Sequence, residues 1–193
     1  YMDIAIEAGT ERVTRNIVLK PLNYKHAKKM VAYARKKGIF VAANFIIGFP
    51  TETWEEIRAT LNYAEEINVD YVKIFIAIPL RNTEMYDLAK KTNSLIMDPL
   101  DAETMWTVGG VIKSEHRSED DLTILRAYEW DRINFSDPKK KKKIADRMGI
   151  TIEELNKIRR RTIDNAKKVI SKRKSSNGNG SAEKATFSEQ VKS

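Results

Sequence analysis

Hydrophobic positions along the first ninety residues alternate between short continuous runs and helical spacing. Met2 to Ile6 reads as a short buried strand. Ala27, Met30, Val31 and Ala34 fall at i, i+3, i+4 and i+7, which predicts an amphipathic helix over residues 23–37. Gly38 stands where such a helix stops. Ile39 to Ile47 is apolar except for Asn44, a pattern suited to a strand covered on both faces, as in parallel sheets. Thr53 and Glu56 form a capping box, opening a helix to about Ile67 with Ile57, Leu61 and Ala64 turned inward. Tyr71 to Ile78 is a third strand closed by Pro79, and Glu84 to Lys91 a third helix. Strand and helix alternate three times with short connections. The expected class is therefore α/β: a partial (β/α) barrel of three parallel strands followed by an α-helical region. Three strands do not close a barrel, and they leave Met2–Ile6 as an unpaired edge, which solvent tolerates poorly. Further strands are expected to pair with it in a larger protein.

The rhythm changes after Asp98-Pro99, so residues 1–97 are read as one unit and 98–174 as an extension. Residues 101–118 look irregular, with Gly109-Gly110 in a turn or short hairpin. Ser118-Glu119-Asp120-Asp121 opens a helix to about Asn134, with the acidic pair suited to a helix N-terminus. Asp137 caps another, with Pro138 at its first position and Gly149 at its end. A second capping box, Thr151 and Glu154, starts a long basic helix to about Lys174. Residues 175–193 are rich in Ser, Gly and Asn, and the expectation there is disorder.

Composition sharpens this picture in two ways. The 193 residues contain no cysteine, which excludes disulfides and thiolate metal sites within the chain and suits a cytosolic origin. No apolar run approaches the roughly 20 residues that span a bilayer, so no membrane partner is expected. Charge is unevenly placed. Residues 1–138 hold 18 Lys/Arg and 21 Asp/Glu, whereas residues 139–174 hold 15 Lys/Arg and 4 Asp/Glu. The net +8 thus belongs to one C-terminal block.

Three signals stand at strand ends, where βα barrels keep their sites: Glu7-Ala8-Gly9-Thr10, Gly48-Phe49-Pro50 and Ile78-Pro79. In order they read IEAGTERV, then NFIIGFPTET, then DYVKIFIAIP, all within residues 3–91. This ordered set resembles the second half of a radical S-adenosylmethionine (SAM) barrel, its fourth to sixth strands. It is most similar in style to radical SAM proteins with an N-terminal cobalamin-binding domain, including the anaerobic magnesium-protoporphyrin ester cyclase type. The run LRAYEWDRINF also looks like tails of that group.

The resemblance implies roles. Glu7 would contact the SAM ribose or methionyl group, and Lys20 the SAM carboxylate, a cation meeting an anion in a partly desolvated cleft. Asn44, Ile46 and Gly48 would lie against adenine, with Gly48 letting a flat ring approach the main chain. Ile78 and Pro79 would add backbone contacts. Two departures stand out: Glu7-Ala8-Gly9 replaces Glu-Ser-Gly, and Arg81-Asn82-Thr83 replaces Pro-Gly-Thr. The family's 4Fe–4S cluster needs three cysteines, which this chain lacks. The resemblance therefore implies that this chain supplies part of the SAM pocket, while the missing N-terminal half of the barrel holds the cluster for reductive cleavage to a 5′-deoxyadenosyl radical. A small-molecule substrate is implied, and the chain alone is expected to be inactive.

A rival reading comes from residues 139–165. Five lysines, a helix ending at Gly149 and a capped second helix rich in Arg follow helix-turn-helix grammar. A noncatalytic module binding nucleic acid or an acidic partner through this segment is the alternative. The same pattern describes a solvated basic hairpin, and nucleic acid is the less expected partner. His26 reads as a surface residue, and Trp106 and Trp130 as packing residues.

Overall fold

The computed structural model describes residues 1–96, 111–113 and 118–189, the side chains of 173, 174 and 176–189 excepted. The elements run β1 (Met2–Glu7), α1 (Glu11–Asn16), α2 (Tyr24–Lys36), β2 (Val41–Ile47), α3 (Trp54–Glu66), β3 (Tyr71–Ile76), α4 (Glu84–Lys91), α5 (Glu119–Phe135), α6 (Pro138–Met148) and α7 (Ile152–Glu189). The three strands form one parallel sheet in the order β1-β2-β3. The expected α/β class with a helical C-terminal region is what the chain adopts.

Register fixes what each sheet face carries. Ile4, Ala43 and Val72 are partners across the sheet, as are Phe45 and Ile74 one layer on. This face is buried with Val31 and Ala34 of α2, Ile57, Leu61 and Ala64 of α3, and Leu122, Trp130 and Ile133 of α5. The opposite face carries Asp3, Ala5, Asn44, Lys73, Ile46 and Phe75. Among these, Asp3, Ala5 and Phe75 are exposed. A sheet covered by helices on one side only, with polar residues on the other, is half of a two-sided arrangement.

Two sequence expectations shift. Met30 lies on the shoulder of α2 and is 46% exposed, because the inward stripe is the narrower set Val31 and Ala34. The backbone of α7 is helical to Glu189, where the sequence reading ends the helix near Lys174 and expects disorder beyond. Residues 94–96 and 111–113 pair antiparallel, through Ile96 N–H to Val111 O at 3.0 Å and Lys113 N–H to Ser94 O at 2.9 Å. Gly109-Gly110 and Trp106 lie outside the described residues.

The outer edge of β3 is closed by a side chain. Asn134 of α5 is fully buried. Its Oδ1 accepts from Val72 N–H at 2.8 Å, and its Nδ2 donates to Val72 O at 2.8 Å and to Trp130 O at 2.9 Å. The amide thus stands in for a neighbouring strand. Asn134→Ala orphans a buried donor and acceptor, so a loss of about 2–3 kcal/mol is expected in urea unfolding. An unchanged midpoint would show that water serves the edge equally well.

Candidate functional site

The three strand tips meet in a second apolar cluster, separate from the main core. Ala8 follows β1, Phe49 follows β2 and Ala77 follows β3. They are buried together with Val13, Val111 and Ile112, and Ile46, Ile78, Ile17, Val18 and Met85 pack around them. The C-terminal ends of all three strands therefore converge. Of the residues expected at the site, Glu7, Ile46 and Ile78 keep partial exposure, whereas Gly48 and Pro79 are buried behind them.

Glu7 and Lys20 are brought together, with Lys20 Nζ 3.3 Å from Glu7 Oε1. Glu7 is the inner member, its side chain 17% exposed against 54% for Lys20. The backbone is unusual at Glu7 and next to Lys20. Glu7 has φ +70° at an irregularity in the β1–β2 register, and Leu19, beside Lys20, has φ +58°. Gly48 (+85°), Thr51 (+64°) and Asn82 (+64°) continue the pattern at the other two tips. Left-handed backbone at Thr51, a β-branched residue, is held against its intrinsic preference, and such strain gathers at functional sites.

The Gly48 turn is fastened from below by a residue that the motif reading passes over. Glu52 is 2% exposed, and its Oε2 accepts from Gly48 N–H at 2.6 Å and Phe49 N–H at 3.0 Å. An acidic residue just ahead of a capping box is the only trace of this role in the sequence. Asn44, expected against adenine, donates from Nδ2 to Asp3 Oδ1 at 2.9 Å. Lys73 also pairs with Asp3, and Tyr1 OH donates to it at 3.3 Å. This network sits three to four residues below the strand ends on the uncovered face. Bonding to Asp3 raises the Lys73 pKa more than desolvation lowers it, so Lys73 stays protonated at neutral pH.

Much of the IEAGTERV stretch proves to be scaffold. Gly9 lies flush on α3 and donates its N–H to Thr60 Oγ1 at 2.8 Å. Thr10 caps α1, and Tyr24 OH donates to Ala8 O at 3.0 Å. Arg12 forks onto Glu56, with Nε to Oε1 at 2.6 Å, and also donates to Thr51 O at 3.0 Å. That fork holds the Glu56 carboxyl below its usual range, against the opposing effect of burial. It ties the loop after β1 to the loop after β2.

Elsewhere, His26 is exposed and Trp130 packs beside β3, its Nε1 donating to Tyr71 OH at 3.1 Å. Asp121 shares a capping box with Ser118. A groove of about 380 Å³ lined by Trp54, Asp120, Asp121, Ile124, Leu125 and Ile170 contains none of the strand-tip residues. Among the described residues, no three His, Cys, Asp or Glu side chains gather as a metal site. No helix there is long and apolar enough to cross a membrane.

No family model matches the chain. It is 37% identical over 87 residues to the cytidylyl-2-hydroxyethylphosphonate methyltransferase of Streptomyces wedmorensis, covering 42% of this chain and 16% of that protein. It is 29% identical over 120 residues to the uncharacterized methyltransferase PH0819 of Pyrococcus horikoshii, covering 62% and 26%. It is 33% identical over 91 residues to the tRNA-2-methylthio-N(6)-dimethylallyladenosine synthase of Aeromonas hydrophila, covering 46% and 19%. The chain thus spans between 16% and 26% of these relatives' own length. These relatives are radical SAM methyltransferases and methylthiotransferases, and the chain is similar to them over part of its length.

Proposed function

We propose that this chain forms one wall of the SAM pocket in a radical SAM enzyme of methyl or methylthio transfer. The observation that carries the reading is the convergence of three strand tips on one cluster, with the Glu7–Lys20 pair beside it. Glu7 would meet the ribose or methionyl end of SAM and Lys20 its carboxylate. Ile46 and Ile78 would offer apolar surface to adenine, and the backbone at Gly48 and Pro79 would back them. Glu52 would keep the Gly48 turn in place, and the Asp3–Asn44–Lys73 network would floor the cavity. The substrate would be a small molecule reached over the uncovered sheet face.

The residues present do not fit a 4Fe–4S cluster, since the chain has no cysteine and its described residues hold no metal-binding group. We assign the cluster to a cysteine-bearing first half of the barrel, whose strands would pair with the open edge of β1. When bound there, the cluster would supply the electron that cleaves SAM. This chain's own part is to hold SAM in position and to shield it from water. In this reading the whole protein is the enzyme and the isolated chain is inactive. A cobalamin domain, as in the group the sequence resembles, would belong to that larger protein.

The test joins this chain to its cluster-bearing half and reconstitutes the pair without oxygen. Dithionite-dependent formation of 5′-deoxyadenosine or S-adenosylhomocysteine is then measured, with and without added cobalamin. Activity is expected only from the joined protein. Lys20→Ala is expected to raise the SAM dissociation constant about tenfold or more, the worth of one hydrogen bond to a charged group. No SAM turnover by the reconstituted wild type, or SAM affinity indifferent to Lys20, would overturn the assignment.

A further inference from the structure

The basic block at the C-terminus divides into two populations. One is consumed by the fold. Lys143 Nζ pairs with Asp70 Oδ1 at 2.7 Å, Lys140 Nζ donates to Ile133 O at 3.0 Å, and Lys142 pairs with Asp146. Arg147 stacks over Tyr1 and Phe40, and Arg159 forks onto Asp131 at 2.7 and 2.8 Å while lying over Phe135. The helix-turn-helix reading relied on these residues. The first turn of α7, which such a reader would lay on base edges, carries Glu153 and Glu154. Sequence-specific reading by that geometry is therefore disfavoured.

The other population faces outward. Leu155, Ile158, Thr162, Ala166 and Ile170 turn one side of α7 toward the protein. Lys157, Arg160, Arg161, Lys167, Lys168 and Lys172 are all exposed. At about 100° per residue they occupy an arc of roughly 140° on the opposite side, spread over about 22 Å of helix axis. Lys157 pairs with Glu153 at 3.0 Å, and Asp164 is the single acidic residue on this face between Lys157 and Lys172.

We propose that this outer face of α7 is a docking surface for the phosphodiester backbone of nucleic acid, independent of the SAM reading. Composition separates this occupant from an acidic protein. Protein interfaces are built on aromatic and aliphatic anchors and are poor in lysine. The described residues of this face include no apolar anchor, and its six cations form a row interrupted by Asp164. A row of that kind suits a polymer with charges every few ångströms, whose binding gains from release of condensed counterions.

The test uses the full chain with three fluorescent probes: a 20-nucleotide single-stranded RNA, a 20-base-pair DNA duplex and poly-glutamate. Dissociation constants are measured between about 50 and 300 mM salt. One variant carries Arg160→Gln, Arg161→Gln, Lys167→Gln and Lys168→Gln. A second, removing the same net charge from α2 and its C-cap, carries Lys25→Gln, Lys29→Gln, Lys36→Gln and Lys37→Gln. Wild-type affinity for a nucleic acid is expected to fall with a log–log salt slope of about 3 or steeper. The α7 variant should lose about one unit of slope for each phosphate contact removed and bind at least about tenfold more weakly near 100 mM salt. The α2 variant should bind like wild type, and the RNA and duplex arms tell which nucleic acid is preferred. Equal losses in both variants would reduce the effect to net charge and overturn the proposal. Equal affinity for poly-glutamate would do so in favour of an acidic protein. A wild-type slope shallower than about 1.5 refutes it without any variant.

Discussion

Gly9→Ala is expected to lower the free energy of unfolding by about 2–3 kcal/mol, near the upper end of what overpacking costs. A Cβ at this position would stand 2.5 Å from the Ala59 carbonyl oxygen and from Thr60 Cα, and 2.6 Å from Thr60 N. All three are backbone atoms of α3, so no side chain can swing away. The helix cannot retreat without stretching the Gly9 N–H to Thr60 Oγ1 bond and the Arg12–Glu56 fork. Urea unfolding measures the loss. Thr60→Ala serves as the comparison, because it removes the hydrogen bond without adding volume and should cost only about 1 kcal/mol. Gly9 lies two residues after Glu7, so the displaced loop would also move the Glu7 carboxylate away from Lys20. Equal stability of Gly9→Ala and wild type would mean that the loop and α3 do not touch as described.

Gly9 also illustrates what the sequence reveals and what it hides. The element order was legible because each strand is a short apolar run and each helix announces its start: Asn23, Thr53, Thr83 and Ser118 all cap as their residue types suggest. These are local signals. The strand-end residues were legible as an ordered set, and the chain does bring Glu7, Lys20, Ile46 and Ile78 to one end of the sheet. What could not be read is who bonds to whom across distance. The amide of Asn44 bonds to Asp3, 41 positions away. Glu52 has no periodic partner and acts through backbone N–H groups. The short helix α1 was also missed, since six residues are too few to show a period. The lysine run looked like a free surface because charge spacing says nothing of Asp70, 73 positions before Lys143.

Asp70 carries the other large expected effect. It is 2% exposed and joins three elements at the end of the sheet away from the strand tips. Its Oδ2 accepts from Val41 N–H at 2.8 Å at the start of β2, and its Oδ1 meets Arg35 of α2 at 3.2 Å and Lys143 of α6 at 2.7 Å. Burial pushes its carboxyl upward, but the bond from Lys143, the bond from Val41 N–H and the nearby charges of Lys143 and Arg35 outweigh it. The net shift is below the ordinary value of 3.8. Asp70→Ala is expected to cost about 2–3 kcal/mol at neutral pH. That is less than the roughly 3–5 kcal/mol of a fully buried pair, because Arg35 and Lys143 are 34% and 51% exposed and water can take over part of their solvation. The buried Val41 N–H is the group left without an acceptor. The sign of the pH effect follows from the lowered pKa. Folding favours the ionised carboxylate, so its contribution is complete above 3.8 and fades as pH falls through the folded value below it. Urea midpoints of wild type and Asp70→Asn should therefore differ by a constant amount between about pH 5 and 8. The difference should shrink only on further acidification. Glu56, lowered through Arg12, adds a loss in wild type and variant alike below its ordinary 4.5. A difference that grows toward acid would reverse the assigned shift, and α6 with its lysines would then be held to the sheet by packing alone.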